Sequence, residues 1–111
     1  LAPTIKEHPS SVVTRRNDPA TLNCAASDAS RITWYRDGEE VTTSNQDTRS
    51  HRVLLPSGSL FFLRVSTGRR DSDAGIYWCV ASNQFGSTRS NNATLTIASL
   101  SYDFLAQPEP Q

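Results

Sequence analysis

Several residue types are scarce in this sequence, and each scarcity excludes a class of protein or site. The 111 residues contain no methionine and only two cysteines, and the apolar runs are short. A membrane-spanning helix needs roughly 20 apolar residues in succession, so we expect no span here. Two thiols cannot form a structural zinc site without histidine, and neither His8 nor His51 stands at a ligand spacing from them. We therefore expect no metal and no cofactor.

Excess charge of either sign is also absent. The 11 basic residues balance the 11 acidic ones, so the net charge is zero and no bulk attraction to nucleic acid or anionic membrane is expected. Lys6 is the only lysine, and the other basic residues are arginines. Because the planar guanidinium pairs with carboxylate, sulfate or phosphate through two hydrogen bonds, this composition favours a local anion site over a global one.

The segment 71–79 carries the strongest structural signal. Tyr77 stands two residues before Cys79, the position from which a tyrosine corner bonds the upstream backbone, and Gly75 allows a close approach into the strand. Cys24 and Trp34 complete the Cys–Trp–Cys spacing of a disulfide that packs against an indole. The pattern predicts an immunoglobulin sandwich with a Cys24–Cys79 bond, and such a bond indicates an oxidising, extracellular compartment.

Short alternating segments predict the remaining strands of two antiparallel sheets. The prediction places A at 5–8, A′ at 11–15, B at 20–26, C around Ile32 and Trp34, C′ at 40–43, D at 50–55, E at 60–65, F up to Ser82 and G at 87–98. Pro9 separates A from A′, as is typical of an edge strand that changes neighbours. The hairpin 83–86 is too short for an antibody variable domain. We expect an all-β, I-set-like immunoglobulin domain at 1–98, followed by a linker at 99–111 that leads towards another domain.

No constellation of catalytic residues is recognisable in this sequence. A nucleophile elbow and metal-binding motifs are both missing, so we expect a protein that works through its surfaces and is not an enzyme. Asn92-Ala93-Thr94 is an N-glycosylation sequon, which is consistent with secretion.

Strand E predicts the most informative surface. If Leu60, Phe62 and Val65 point inward, Phe61 and Leu63 point outward from the sheet formed by strands A, B, E and D. One interpretation is that a flanking side chain covers both, or that a bulge turns both into the core. The other is a protein-binding face, because the outer side of such a sheet is normally polar.

Other residues extend this surface. Asn23 of strand B and Glu7 of strand A are expected on the same face. Arg69 and Arg70 form a basic pair at the corner between strands E and F, which is either a solvated turn or a site for an anionic chain. A second pair at 15–16 has no apolar neighbour and a weaker case.

Longer motifs resemble one receptor family. These are Lys6-Glu-His-Pro9, Pro19-Ala-Thr-Leu-Asn-Cys24, Ser50-His-Arg-Val-Leu-Leu-Pro-Ser-Gly-Ser-Leu-Phe-Phe-Leu-Arg64, Cys79-Val-Ala-Ser-Asn83, Asn92-Ala-Thr-Leu95 and Tyr102-Asp-Phe104. They are similar, almost end to end, to the first immunoglobulin domain of the Roundabout axon-guidance receptors. In that family the domain docks the leucine-rich second domain of secreted Slit, and heparan sulfate bridges the two proteins.

The resemblance implies a specific site. The residues that match the family's Slit-facing positions are Glu7, Asn23, Phe61, Leu63 and Arg70, and those that match its heparan-sulfate pair are Arg69 and Arg70. One departure is Ala25, where the family often has lysine, and the connection between strands B and C is shorter than in the family.

The resulting hypothesis is an extracellular, ligand-binding module of a cell-surface receptor. We expect the parent protein to be anchored in the membrane by a segment outside this sequence. The alternative is an adhesion module, homophilic or heterophilic, or a spacer between neighbouring domains.

Overall fold

A computed structural model of the chain describes residues 1–69 and 71–98, which form an all-β structure. The strands are Thr4–Glu7 (β1), Val12–Arg15 (β2), Ala20–Leu22 (β3), Ala25–Ser27 (β4), Arg31–Arg36 (β5), Glu39–Glu40 (β6), Arg52–Leu54 (β7), Leu60–Phe62 (β8), Gly75–Asn83 (β9), Gly86–Arg89 (β10) and Ala93–Ala98 (β11). Among these residues no helix is long and apolar enough to cross a membrane. The predicted linker, 99–111, lies outside the described residues and stays a prediction.

The strands form the two layers of a sandwich. One layer has the order β2-β11-β9-β5-β6, with β10 also paired to β9. The other consists of β1-β4 and β3-β8-β7. The predicted change of neighbours around Pro9 is confirmed, because β1 pairs antiparallel with β4 whereas β2 pairs parallel with β11 in the opposite layer. Proline has no N–H to donate to a ladder, so it suits the point where the edge strand leaves one sheet.

Strand B is interrupted where a single strand was predicted. The backbone N–H of Cys24 donates to the side-chain oxygen of Ser59 at 3.2 Å. A hydroxyl therefore replaces a ladder carbonyl at this point, and the strand is divided into β3 and β4. The two parts remain consecutive in the chain and belong to the same layer.

The core lies between the layers and is centred on the disulfide. Cys24 and Cys79 are bonded and fully buried, as predicted. Trp34 lies opposite Cys79 on the neighbouring strand, and its indole N–H donates to the carbonyl oxygen of Gly58 at 2.8 Å. Gly58 has φ +104°, a backbone conformation that strains residues with a Cβ, and a Cβ there would also meet the side chain of Ile32. Glycine is therefore required at the turn that satisfies the indole.

Strands C′, D and E are shorter than predicted because the chain changes hydrogen-bond partners at their ends. Val41 still bonds to Trp34 across the sheet, but the backbone N–H of Thr43 turns to the side chain of Gln46 at 2.8 Å. At the end of strand E the N–H of Val65 donates to the carbonyl oxygen of Asp18 at 2.8 Å, and β7 is no longer its partner. Strand E thus passes from the sheet to the turn before β3.

We predict that the Cys24→Ala/Cys79→Ala variant unfolds more easily than the native chain. The expected loss is about 2 to 5 kcal/mol in the free energy of unfolding, because the bond restricts the unfolded chain. Denaturant titration of both proteins measures the difference. Alkylation and mass measurement of the native, non-reduced chain provide the control, and two free thiols there would contradict the fold assigned to it.

Candidate functional site

The corner between β8 and β9 is held by the carboxylate of Asp73, which has no exposed surface. One carboxylate oxygen accepts a 2.7 Å hydrogen bond from Arg52 Nε. The other accepts a 2.7 Å hydrogen bond from the backbone N–H of Ser66 and lies 2.7 Å from His51 Nε2. A buried charge is tolerated only when it is paired and hydrogen-bonded. Asp73 therefore ties β7 and the segment after β8 to the approach to β9.

The predicted tyrosine corner is present beside this carboxylate. The hydroxyl of Tyr77 donates a 2.7 Å hydrogen bond to the backbone carbonyl of Asp73, and its ring meets Phe62 edge-on with centroids 5.7 Å apart. Burial raises the pKa of Tyr77 because a phenolate there would lose its hydration. The hydroxyl therefore remains protonated and keeps its role as a donor.

Phe61 and Leu63 lie on the outer face of the layer that contains β3 and β8. Phe61 is paired with Thr21 of β3 and with Val53 of β7, while the residues on either side of it are fully buried. It is itself half-buried, and Leu63, two residues further along, is 54% exposed. The predicted alternation is thus present, and no bulge turns Leu63 into the core. Two large apolar side chains share a face that is normally polar.

Asn23 and Glu7 occupy the same outer face. Asn23 is exposed, and its side-chain oxygen accepts a 3.5 Å hydrogen bond from Ser59 Oγ. Glu7 is exposed at the end of β1 and is paired with Ala25 of β4. Asn23 stands between Leu22 and Cys24, which are both fully buried, so it points away from the core on this layer. We call the surface of Glu7, Asn23, Phe61 and Leu63 the A-B-E-D face.

Arg69 is exposed on the loop that follows β8. This loop contains a turn in which the N–H of Asp71 donates to the carbonyl oxygen of Gly68 at 3.3 Å. Asp73 anchors the loop near both ends. Its carboxylate accepts a hydrogen bond from the N–H of Ser66 near the start, and Asp73 itself lies near the end. Arg69 is thus an exposed cation on an anchored loop. Arg70 lies outside the described residues, and its assigned contacts stay a prediction.

The sequence analysis missed a second row of side chains on the outer face of the opposite layer. The rings of Tyr35 and Trp78 stack with centroids 6.0 Å apart, and the guanidinium of Arg89 lies 3.9 Å above the ring of Trp78. Ile76 is 42% exposed on the same strand as Trp78. The run at 76–81 was the available signal, because continuous apolar sequence is typical of a strand covered on both faces.

The described residues provide surfaces for contact and no metal site. In the ranges 1–69 and 71–98, no group of three or more His, Cys, Asp or Glu side chains is arranged to hold a metal ion. His51 approaches Asp73, but the third group of that cluster is the cationic side chain of Arg52. The exposed groups are apolar anchors, amides and charges, which suit recognition of another macromolecule.

Comparisons with known proteins assign the fold and a family. An immunoglobulin-domain model matches residues 2–83. The chain is 50% identical to Protein sax-3 of Caenorhabditis elegans, over 97% of this chain and 9% of that protein. It is 52% identical to Roundabout homolog 2 of Homo sapiens, over 96% of this chain and 8% of that protein. The chain therefore spans less than a tenth of these two relatives.

A solved structure gives an independent match to the fold. The crystal structure of the N-terminal Ig1-2 module of the Drosophila receptor protein tyrosine phosphatase DLAR matches with a TM-score of 0.70 and 32% identity. The match covers 87% of this chain and 49% of that one, so one immunoglobulin repeat of the pair corresponds to the present chain.

We predict that Asp73→Asn destabilises the domain by about 3 to 5 kcal/mol, because it leaves Arg52 buried without its counter-charge. Asp71→Asn is the matched control, since Asp71 contacts the same guanidinium at 3.5 Å but is 66% exposed. Exposed pairs contribute about 0 to 1 kcal/mol, so this variant should unfold almost as the native chain does. Denaturant titration measures both, and equal losses would show that burial of Asp73 is not the source of the effect.

Proposed function

The chain belongs to the Roundabout family of immunoglobulin-domain proteins, and on this premise we propose that it is a ligand-binding, extracellular module of an axon-guidance receptor. Its ligand in this proposal is the leucine-rich domain of secreted Slit, with heparan sulfate as co-ligand. Immunoglobulin domains of this family are not enzymes. One observation carries the proposal: half-buried Phe61 and exposed Leu63 lie on the outer face of a sheet that also bears polar side chains.

The A-B-E-D face has the composition of a protein interface. Such interfaces combine an apolar centre with a polar rim. Phe61 and Leu63 supply the centre, and polar groups come from Asn23, just after β3, and Glu7, on β1. Leucine-rich solenoids present extended concave surfaces. The outer face of a sheet that is tied into a sandwich can enter such a concavity with little loss of conformational entropy.

The basic corner suits a sulfated polysaccharide. Arg69 is exposed on a loop that Asp73 anchors, and Arg70 is its neighbour in sequence. Guanidinium groups bind sulfate through paired, charge-assisted hydrogen bonds. We therefore assign Arg69 and Arg70 to heparan sulfate and, as the resemblance implies, Arg70 also to Slit.

The proposed location outside the cell is supported by two chemical features. The Cys24–Cys79 bond belongs to an oxidising compartment. Asn92 of the sequon is exposed between β10 and β11, where an oligosaccharide can be attached without displacing the core. We propose N-glycosylation at this residue, which intact-mass measurement before and after enzymatic deglycosylation would test.

We predict that Leu63→Ala weakens binding to the leucine-rich domain of Slit by about 2 kcal/mol or more, as expected for an interface anchor. Its exposed side chain contributes little to the folded core, so the unfolding midpoint should barely change. Phe61→Ala should weaken binding similarly, with a larger effect on stability because Phe61 is half-buried. Titration calorimetry gives the affinities, and thermal unfolding gives the stabilities.

Val13→Ala is the matched control for these two variants. Val13 is 71% exposed and lies on β2, in the opposite layer. Native affinity is expected for this variant. If all three variants bind equally, or if the native chain does not bind Slit, the A-B-E-D face is not the Slit site and the adhesion or spacer alternative gains support.

We predict that the Arg69→Ala/Arg70→Ala variant elutes from a heparin column at lower salt than the native chain. The variant has fewer charges to neutralise the sulfates, so its affinity for heparin should also depend less steeply on salt concentration. Salt acts on these contacts because exposed charges are screened over about 8 Å at physiological ionic strength. Slit binding should fall more in the presence of heparan sulfate than in its absence, because only Arg70 is assigned to the protein partner.

The pair Arg15 and Arg16 provides a comparison on the same column. Both residues are exposed, and they lie where β2 leads into the turn before β3. Their replacement by alanine should lower the elution salt less than replacement of Arg69 and Arg70. The reverse order would move the heparan-sulfate site to the 15–16 pair.

A further inference from the structure

Strand β9 carries large apolar side chains on its outer face as well as in the core. Tyr77, Cys79 and Ala81 point into the sandwich and are fully buried. Because side chains alternate along a strand, Ile76 and Trp78 point outward, where Ile76 is 42% exposed and Trp78 is half-buried. The solvated face of an antiparallel sheet is normally polar. We call this outward pair the β9 ridge, and its composition is typical of a face that another group covers.

A bulge between β10 and β11 brings the glycosylation sequon to the β9 ridge. The backbone N–H of Ser90 donates to the carbonyl oxygen of Cys79 at 2.8 Å, and its Oγ accepts from the N–H of Cys79 at 2.9 Å. Ala93 is already paired with Tyr77. Residues 91–92 therefore stand opposite a single residue of β9, the ridge tryptophan, which is the two-against-one arrangement of a β-bulge.

The sequon is exposed on the same side as the ridge. Ala93 is buried opposite Tyr77, whereas Asn92 and Thr94, on either side of it, are exposed. Thr94 is paired with Ile76, the more exposed member of the ridge. A sugar attached to Asn92 therefore begins beside the apolar side chains of β9.

Arg89 ties the sequon asparagine to the ridge. Its guanidinium lies 3.9 Å above the ring of Trp78 and donates a hydrogen bond to Asn92 Oδ1. A guanidinium can only donate, so it engages the amide oxygen and not Nδ2, the atom that receives the sugar in N-glycosylation. Within 1–69 and 71–98, Nδ2 has no hydrogen-bond partner. Attachment of a sugar replaces one N–H of Nδ2 and keeps the oxygen, so the bond to Arg89 can persist in the glycosylated chain.

We propose that the first N-acetylglucosamine of an oligosaccharide on Asn92 packs against the β9 ridge, and that Arg89 is the positioning residue for this contact. One face of the pyranose ring carries C–H groups and the acetamido methyl is apolar, so the sugar can remove apolar surface from water. Tyr35 and Arg89 already cover the two faces of the Trp78 ring, which leaves its edge and Ile76 for the sugar. The outer sugars are hydrophilic and face solvent.

This inference rests on the N-glycosylation of Asn92 proposed above and is independent of Slit binding. The A-B-E-D face belongs to the other layer of the sandwich. A sugar on the β9 ridge therefore leaves that face accessible.

Tryptophan fluorescence measures the cover, because Trp34 is only 1% exposed and acrylamide in the solvent therefore quenches mainly Trp78. The 111-residue chain is secreted from animal cells that make only high-mannose oligosaccharides, and an endoglycosidase trims these to one N-acetylglucosamine. Thr94→Val is the matched control, since it removes the sequon but keeps Asn92 and its bond to Arg89. The trimmed native chain should lose part of the quenching that Thr94→Val shows.

The role of Arg89 is tested as a difference between two pairs of proteins. Arg89→Ala uncovers one face of Trp78 with or without a sugar, so its trimmed form is compared with unglycosylated Arg89→Ala/Thr94→Val. The protection given by the sugar should be lost in this second pair, because the sugar is no longer held at the ridge. Arg89 and Thr94 are both exposed, and thermal unfolding verifies that each variant is folded.

Intact-mass measurement separates the possible failures. A chain secreted without any sugar would overturn the N-glycosylation of Asn92 and this inference with it. A chain that carries the sugar but is quenched as strongly as Thr94→Val would overturn the contact with the β9 ridge and leave glycosylation standing. Equal protection in the two pairs would show that Arg89 does not position the sugar.

Discussion

The buried carboxylate of Asp73 is the interaction on which the corner between the two layers depends. A charge with no exposed surface is stable only if protein groups replace its lost water. Arg52, His51 and the N–H of Ser66 do so here, and they come from two segments that are distant from each other in sequence. The hydroxyl of Tyr77 then bonds the carbonyl of the same residue. Side chain and backbone of one aspartate thus hold β7, β8 and β9 together.

This corner explains how Phe61 and Leu63 are presented on the outer face. The N–H of Leu63 donates to the carbonyl oxygen of His51 at 2.8 Å, and the N–H of Val65 donates to that of Asp18 at 2.8 Å. Both bonds hold the end of strand E extended, and His51 is itself held by Asp73. Leu63 therefore points outward while Val65 is fully buried. The A-B-E-D face thus depends on a polar network that lies behind it.

The two outer faces of the sandwich differ in their chemistry. On the A-B-E-D face the apolar side chains are isolated among polar ones, and the basic loop follows directly in the chain. On the opposite face Tyr35, Trp78 and Arg89 are stacked across three strands, so the aromatic rings support one another and a cation. The first arrangement suits a partner with its own complementary pattern.

Sequence alone determined the properties that follow from local spacing. The separation of Cys24, Trp34, Tyr77 and Cys79 predicted the disulfide, the indole against it and the corner, because these positions are set by the period of the strands. The same two-residue period predicted that Phe61 and Leu63 would point outward. Alternation is a property of the pleated backbone, and it can be recognised without knowledge of which strands are adjacent.

Only the tertiary structure decided what depends on register between distant segments. Asp73 gave no sign in the sequence of its bonds to His51 and Arg52, which lie 22 and 21 residues before it. The same holds for the stacking of Trp78 between Tyr35 and Arg89, because three strands must be aligned before the rings can meet. Burial of a charge and contact between side chains are cooperative results of packing, and local periodicity does not specify which distant residues become neighbours.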